Sequence, residues 1–197
     1  MKNRAAATAA ITLTALLALA GCAGTPSTGG THDMDGMGSS ASASPAADVN
    51  NADMQFTMMM IPHHEQAVEM ADTILAKDGI DERVITLAEQ IKSAQGPEIE
   101  LMESWLDDWG TPMGDMGGMD HGGMMSDTDM QALEDATGVE ASRLFLEQMI
   151  MHHEGAIEMA QTEVDNGQNA DVIALAENII ASQTTEITTM EDILATL

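Results

Sequence analysis

Cysteine is nearly absent from this chain: Cys22 is the only one in 197 residues. No disulfide can close within the chain, and a folded domain has neither a thiolate metal site nor a thiol nucleophile to draw on. Positive charge is also scarce, with six Lys and Arg against 33 Asp and Glu and a formal net charge of −27. Nucleic acid is therefore excluded as a natural partner, because phosphate binding needs basic patches. A bilayer-spanning apolar run is lacking too, since the one candidate, Ala5 to Ala20, is too short. Nor does any Glu-x-x-His occur, the pair that di-iron and di-manganese bundles project inward from facing helices.

The short apolar run has the layout of a secretory signal peptide, with Lys2 and Arg4 ahead of it and Leu19-Ala20-Gly21-Cys22 behind. Leucine, two small residues and cysteine resemble the bacterial lipobox. That resemblance implies cleavage of residues 1–21, lipidation of the Cys22 sulfur, and an extracytoplasmic protein anchored to the bacterial membrane by lipid alone. An ordinary signal peptide with an incidental cysteine is the alternative. Removing 1–21 takes away two of the six basic residues and none of the acids. The acidity left suits solubility and concentrates cations near the surface. Residues 22–47 are Gly, Ser, Thr, Pro and Ala without apolar period, a flexible tether, and within it His32, Met34 and Met37 form a small cluster.

The rest of the chain, 48–197, is one domain's worth of sequence and contains a duplication. Phe56 to Ala71 reads FTMMMIPHHEQAVEMA and Phe145 to Ala160 reads FLEQMIMHHEGAIEMA. A second pair of matched segments, around Leu87 to Ile91 and Leu175 to Ile179, follows each copy. Helical projection puts Phe56, Met60, His63, His64, Ala67, Met70, Ala71 and Ile74 on one face. A second helix from about Ile80 to Trp109 carries Val84, Leu87, Ala88, Ile91, Ala94, Gln95, Glu98, Met102, Trp105 and Leu106 on its face. Gly110 and Pro112 end it. Pro97 would ordinarily break this helix; its counterpart Thr185 sits in an otherwise matching segment, so the spacing predicts a kinked continuous helix. Helices three and four are predicted over about 139–166 and 169–196.

Two homologous αα-hairpins make an all-α, four-helix bundle, because each amphipathic pair must bury its stripe against another. The connection between them holds a Met/Gly-rich loop at 111–126 and then a short helix opening near Ser126, where Ser126-Asp-Thr-Asp129 resembles a capping arrangement. A linker of about 27 residues can span a helix of roughly 42 Å, so the ferritin-like crossover and a simple up-and-down order are both allowed.

Both His-His pairs fall at the middle of their helices, which brings four imidazoles to one level of the interior with Met60 and Met149 one turn away. Gln95, Glu98, Gln183 and Glu186 sit near the middles of the other two helices as companions, since a buried carboxylate needs an imidazole or a metal beside it. Core histidines with packing methionines are the bland alternative, but a duplicated Met-x-x-His-His group facing polar residues fits a metal site better. Met70 and Met159 are weaker candidates. They lie roughly 10.5 Å along the axis from His63 and His152, so they need a second ion or simply pack. Thioether sulfur is soft and selects Cu(I). The loop repeats this chemistry with Met113, Met116, Met119, His121, Met124 and Met125 in a segment too glycine-rich to pack a core; low-complexity drift is its alternative.

The Met-Ile-Pro-His-His-Glu…Ala…Glu-Met-Ala pattern, present in both copies, resembles the domain of unknown function 305 family of extracytoplasmic bacterial proteins. The resemblance covers about residues 50–197. It implies a ferritin-like four-helix bundle and, as for some members, copper binding linked to copper tolerance, carried over onto Met60, His63, His64, Met70, Met149, His152, His153 and Met159. In the second copy Met151 stands where the first has Pro62. The expectation is a lipid-anchored protein that sequesters Cu(I), or Ag(I), or exchanges it with a donor or acceptor protein, without turnover. The competing classes are a ferritin-like oxidase holding two iron or manganese ions, and a metal-free structural bundle.

Overall fold

The computed structural model describes residues 48–111 and 122–197. Cys22, the tether with His32, Met34 and Met37, and the loop residues Met113, Met116, Met119 and His121 lie outside them. Every regular element among the described residues is a helix: α1 (Asn51–Leu75), α2 (Glu82–Asp108), α3 (Asp127–Asp135), α4 (Gly138–Asn166) and α5 (Ala170–Leu194).

The helix ends follow from local chemistry. Asn50 accepts from the N–H groups of Ala52 and Asp53, and Asp53 accepts from the Asn50 N–H, a reciprocal box that satisfies donors at the start of α1. Ser126 and Asp129 build the same box at the start of α3, as the sequence predicts. At the end of α2, Gly110 takes a left-handed φ of +65°. Its N–H and that of Thr111 close back onto the carbonyls of Asp107 and Leu106, a Schellman turn. Helix α2 runs unbroken through Pro97, and α1 through Pro62.

The two hairpins are antiparallel, and so are α1 and α4. The Asn50 side chain donates to the Asn166 carbonyl, and Asp53 accepts from the N–H groups of Gln168 and Asn169, so the start of α1 lies at the end of α4. At the opposite end the Asp81 N–H donates to Ser142, and Gly79 touches Gly138. Helices α2 and α4 therefore run in the same direction, and the connection between them must traverse the bundle. This is the ferritin-like crossover, the first of the two orders the linker length allowed. Helix α3 belongs to that crossover and packs on α1 and α4, with Leu133 fully buried.

All eight residues assigned to the buried face of the first helix are buried, and the α2 stripe is buried at Val84, Leu87, Ala88, Ile91, Gln95, Met102 and Leu106. Ala94 is exposed because it falls at the edge of that arc. The core is two apolar clusters. One gathers Met70, Ile74, Val84, Ile91, Phe145, Met149 and Met190 at the α1 C-terminal end. The other gathers Phe56, Met60, Ile61, Met102, Leu106, Ala156, Val172 and Ile179 at the α1 N-terminal end. On every one of the four long helices a polar residue pair separates the two clusters.

Candidate metal centre

The separating layer consists of His63 and His64 from α1, Gln95 and Glu98 from α2, His152 and His153 from α4, and Gln183 and Glu186 from α5. It sits at mid-bundle because His63 and His152 are the middle residues of α1 and α4. All four imidazoles are 0% exposed. Antiparallel α1 and α4 bring the pairs to the same level, and the rings of His63 and His152 lie 3.7 Å apart between centroids, tilted by 39°. His152 and His153 are 6.3 Å apart.

The outer histidine of each pair meets a glutamate from its own hairpin. His64 Nε2 stands 2.8 Å from Glu98 Oε2, and His153 Nε2 stands 2.6 Å from Glu186 Oε2. Both glutamate side chains keep a partial opening to water, 24% and 19%, so each links a buried ring to solvent. With Nε2 engaged, Nδ1 of His64 and of His153 is left without a hydrogen-bond partner. Neither nitrogen of His152 makes a hydrogen bond of ordinary geometry, and the buried Gln95 and Gln183 each leave Oε1 unpartnered. Orphaned polar atoms in an interior cost about 1–3 kcal/mol each. Burial first, then the neighbouring imidazoles of His63, His153 and His64, hold the His152 pKa well below its ordinary value. That ring is neutral and keeps a lone pair for an ion.

Met60 and Met149 flank the layer from opposite sides, both fully buried, one in each apolar cluster. Among the described residues no three His, Cys, Asp or Glu side chains converge on one point. A layer with so few converging hard donors suits an ion of low coordination number whose further donors are thioethers. Met70 is packed away in the core, and Met159 is half-buried. Met151 is 50% exposed and faces away from the layer.

The described end of the Met/Gly-rich loop differs from expectation. Met125 is buried in the core, because its backbone N–H and carbonyl are both held by the Gln66 side chain at 2.7 and 2.9 Å. Upstream, Gly122 and Gly123 lie against Gly155 so closely that a Cβ on Gly123 or on Gly155 would collide with backbone. Gln66 and Gly155 are equivalent positions of the repeat, each two residues past its His-His pair. Since α1 and α4 are antiparallel, the strap 122–125 crosses the level of the histidine layer, with half-buried Met124 between its two anchors. Sequence reasoning missed this pair; the signal was the one place in the duplicated text where Gln faces Gly. It also missed Asp53 and Glu163, which are buried against each other at the end of the bundle. Burial would raise the Asp53 carboxyl, but N–H groups of Asn50, Asn169 and Gln168 together with a hydrogen bond from Glu163 hold it down. Burial first, then the hydrogen bond and charge of Asp53, push Glu163 up to about 8.

The family model of the domain of unknown function DUF305 matches residues 53–194. No curated protein matches the chain. Among solved structures, a DUF305 fragment from Deinococcus radiodurans is 33% identical over 76% of this chain and 99% of that one, with a TM-score of 0.70. A DUF305 protein from Streptomyces coelicolor is 34% identical over 73% of this chain and 91% of its own, with a TM-score of 0.69. CopM in its Cu(II)-bound form is 33% identical over 73% of this chain and 95% of its own, with a TM-score of 0.64; CopM is also solved with Cu(I) and with Ag bound.

Proposed function

The chain belongs to the DUF305 family, and from that premise we propose that it is an extracytoplasmic copper-binding protein that sequesters or hands on Cu(I), and accepts Ag(I), without turnover. The observation that carries this reading is the mid-bundle layer of four buried imidazoles with four orphaned nitrogens on His64, His152 and His153. A purely structural bundle would be more stable with that layer filled by apolar side chains. Its donors fit a soft monovalent ion: imidazole nitrogen from His63, His64, His152 and His153, and thioether sulfur from Met60 and Met149. Glu98 and Glu186 hold the outer rings through Nε2 and leave Nδ1 for an ion, while the buried Gln95 and Gln183 carry unpartnered amide oxygens in the same layer. That CopM binds copper and silver supports the choice of cargo.

An oxidase with two iron or manganese ions draws less support. Among the described residues two carboxylates reach the layer, and each already faces an imidazole. Met113, Met116, Met119 and His121, outside the described residues, and Met124 in the strap are assigned as further soft donors, and a copper donor or acceptor protein as the exchange partner. No helix among the described residues is long and apolar enough to cross a membrane. Membrane attachment in this reading comes from a lipidated Cys22, after removal of 1–21, with 22–47 as tether and 48–197 as the binding domain.

The test is Cu(I) titration of the protein under reducing conditions, set against a variant with His63, His64, His152 and His153 all changed to Ala. Loss of at least one bound equivalent in the variant is expected. Equal stoichiometry and affinity in the two proteins would refute the interior site.

A further inference from the structure

The groove between α1 and α4 has two halves related by the internal repeat, and they have diverged. In the half beside α3, Met70 and Ile74 are fully buried in a cluster with Leu133, and Gln148 is spent on donating to the Asp129 carbonyl of α3. That half is packed core. The repeat equivalents in the other half are Met159 for Met70, Glu163 for Ile74 and Met59 for Gln148. Here the structure has a cleft of about 350 Å³, lined by Gln55 and Met59 of α1 and by Glu158, Met159 and Glu163 of α4.

Three features of this cleft are poorly explained by packing. Met59 is half-buried and belongs to neither apolar cluster, so its thioether adds little to the core. Met159 packs against the edge of the second apolar cluster but, unlike its fully buried counterpart Met70, is left partly open to solvent on the same cleft wall. Glu163 is 1% exposed where its counterpart is isoleucine, and apart from the hydrogen bond it shares with Asp53 neither of its oxygens has a partner. Two thioethers from facing helices beside acidic groups form a donor set for a soft cation rather than for an organic ligand. The carboxylate of Glu158 on the same wall favours positive charge in the cleft.

We propose that this cleft is a second, solvent-accessible soft-metal site, in which Met59 and Met159 take one monovalent ion of the Cu(I) or Ag(I) type. It is separate from the histidine layer, since Met159 lies beyond reach of an ion held at His152, roughly 10 Å away along α4. The inference rests on the copper reading for the identity of its cargo and on the cleft residues for its location. Their accessibility suits the cleft to exchange, and the buried layer to retention.

The test uses the whole chain with methyl-13C methionine and silver nitrate in chloride-free buffer. Met59→Leu and Met159→Leu single variants assign the two methyl resonances. Both resonances are expected to shift and to saturate together as Ag(I) is added, and the Met59→Leu/Met159→Leu double variant to carry one silver fewer by native mass spectrometry. Two methyl signals that stay in place at silver saturation, or an undiminished silver count in the double variant, would overturn the proposal. The same titration on the four-histidine Ala variant separates the two readings. If Met59 and Met159 still respond there while the total count equals wild type, the interior reading fails and the cleft stands. If they respond in wild type but not in that variant, the cleft is not an independent site and the proposal falls.

Discussion

A buried histidine with neither nitrogen in a hydrogen bond of ordinary geometry is an unfavourable core residue, and His152 is one. Its conversion to leucine removes the desolvation cost and keeps most of the volume, so His152→Leu is expected to stabilise the ion-free protein by about 1–2 kcal/mol. It should also lower the amount of Cu(I) held. Urea denaturation paired with Cu(I) titration checks this; a variant that is both less stable and unimpaired in binding would mean that His152 is an ordinary core residue. Glu163 gives the second residue-scale expectation. In the unfolded chain it ionises around 4.5, and in the fold at about 8. Between those values the folded state retains a proton that the unfolded state has lost, so Glu163's contribution to stability is whole below pH 4.5 and drains away as pH rises to about 8. The depressed Asp53 carboxyl acts the other way, with stability lost as pH falls through the acid range below its ordinary 3.8. Glu163→Gln keeps a donor to Asp53 without the titration. Its unfolding free energy measured from pH 5 to 8 should decline less than that of wild type, by on the order of a few kcal/mol. Parallel curves for the two proteins would assign the pH dependence to other groups.

At the scale of elements, the strap 122–125 depends on Gly155, which lets two backbones meet on α4. Gly155→Ala has a helical gain of roughly 1 kcal/mol to offset, yet displacement of the strap should leave it about 1–3 kcal/mol less stable than wild type. Thermal unfolding decides: a stabilised Gly155→Ala would show that the strap contributes nothing. These elements also show where sequence reading works. Helix extents were legible to within two residues because strong apolar periodicity, the Ser126 cap and Gly110 all agree. Continuity through Pro97 was legible only because the second copy of the repeat has Thr185 in its place. The level of the four histidines followed from helix midpoints, which need no knowledge of topology. The crossover direction did not, since it is fixed by contacts such as Asp53 with Asn169, 116 residues apart, that no local pattern encodes. Met125 misled for a related reason. Its glycine-rich neighbourhood signals a loop, whereas its burial comes from a distant Gln66.

For the molecule as a whole, one sign of charge dominates, and the ion it is proposed to carry has the other. A net charge of −27 repels itself in the compact state, and the basic side chains are too few to offset it. Screening should relieve that repulsion, so the urea midpoint of the ion-free protein is expected to rise as sodium nitrate goes from about 10 mM, where the Debye length is about 30 Å, toward about 1 M, where it is about 3 Å. The same field draws a monovalent cation toward the cleft and the layer, so screening should slow Ag(I) association over that range. Stability and capture rate therefore carry opposite salt slopes. Stopped-flow mixing with silver nitrate beside urea titrations at matched salt gives both. A stability that falls with salt would mean that local ion pairs outweigh net repulsion despite the small number of cationic side chains. An association rate indifferent to salt would mean that a local opening step, such as movement of the strap over the histidines, limits entry instead of the long-range field.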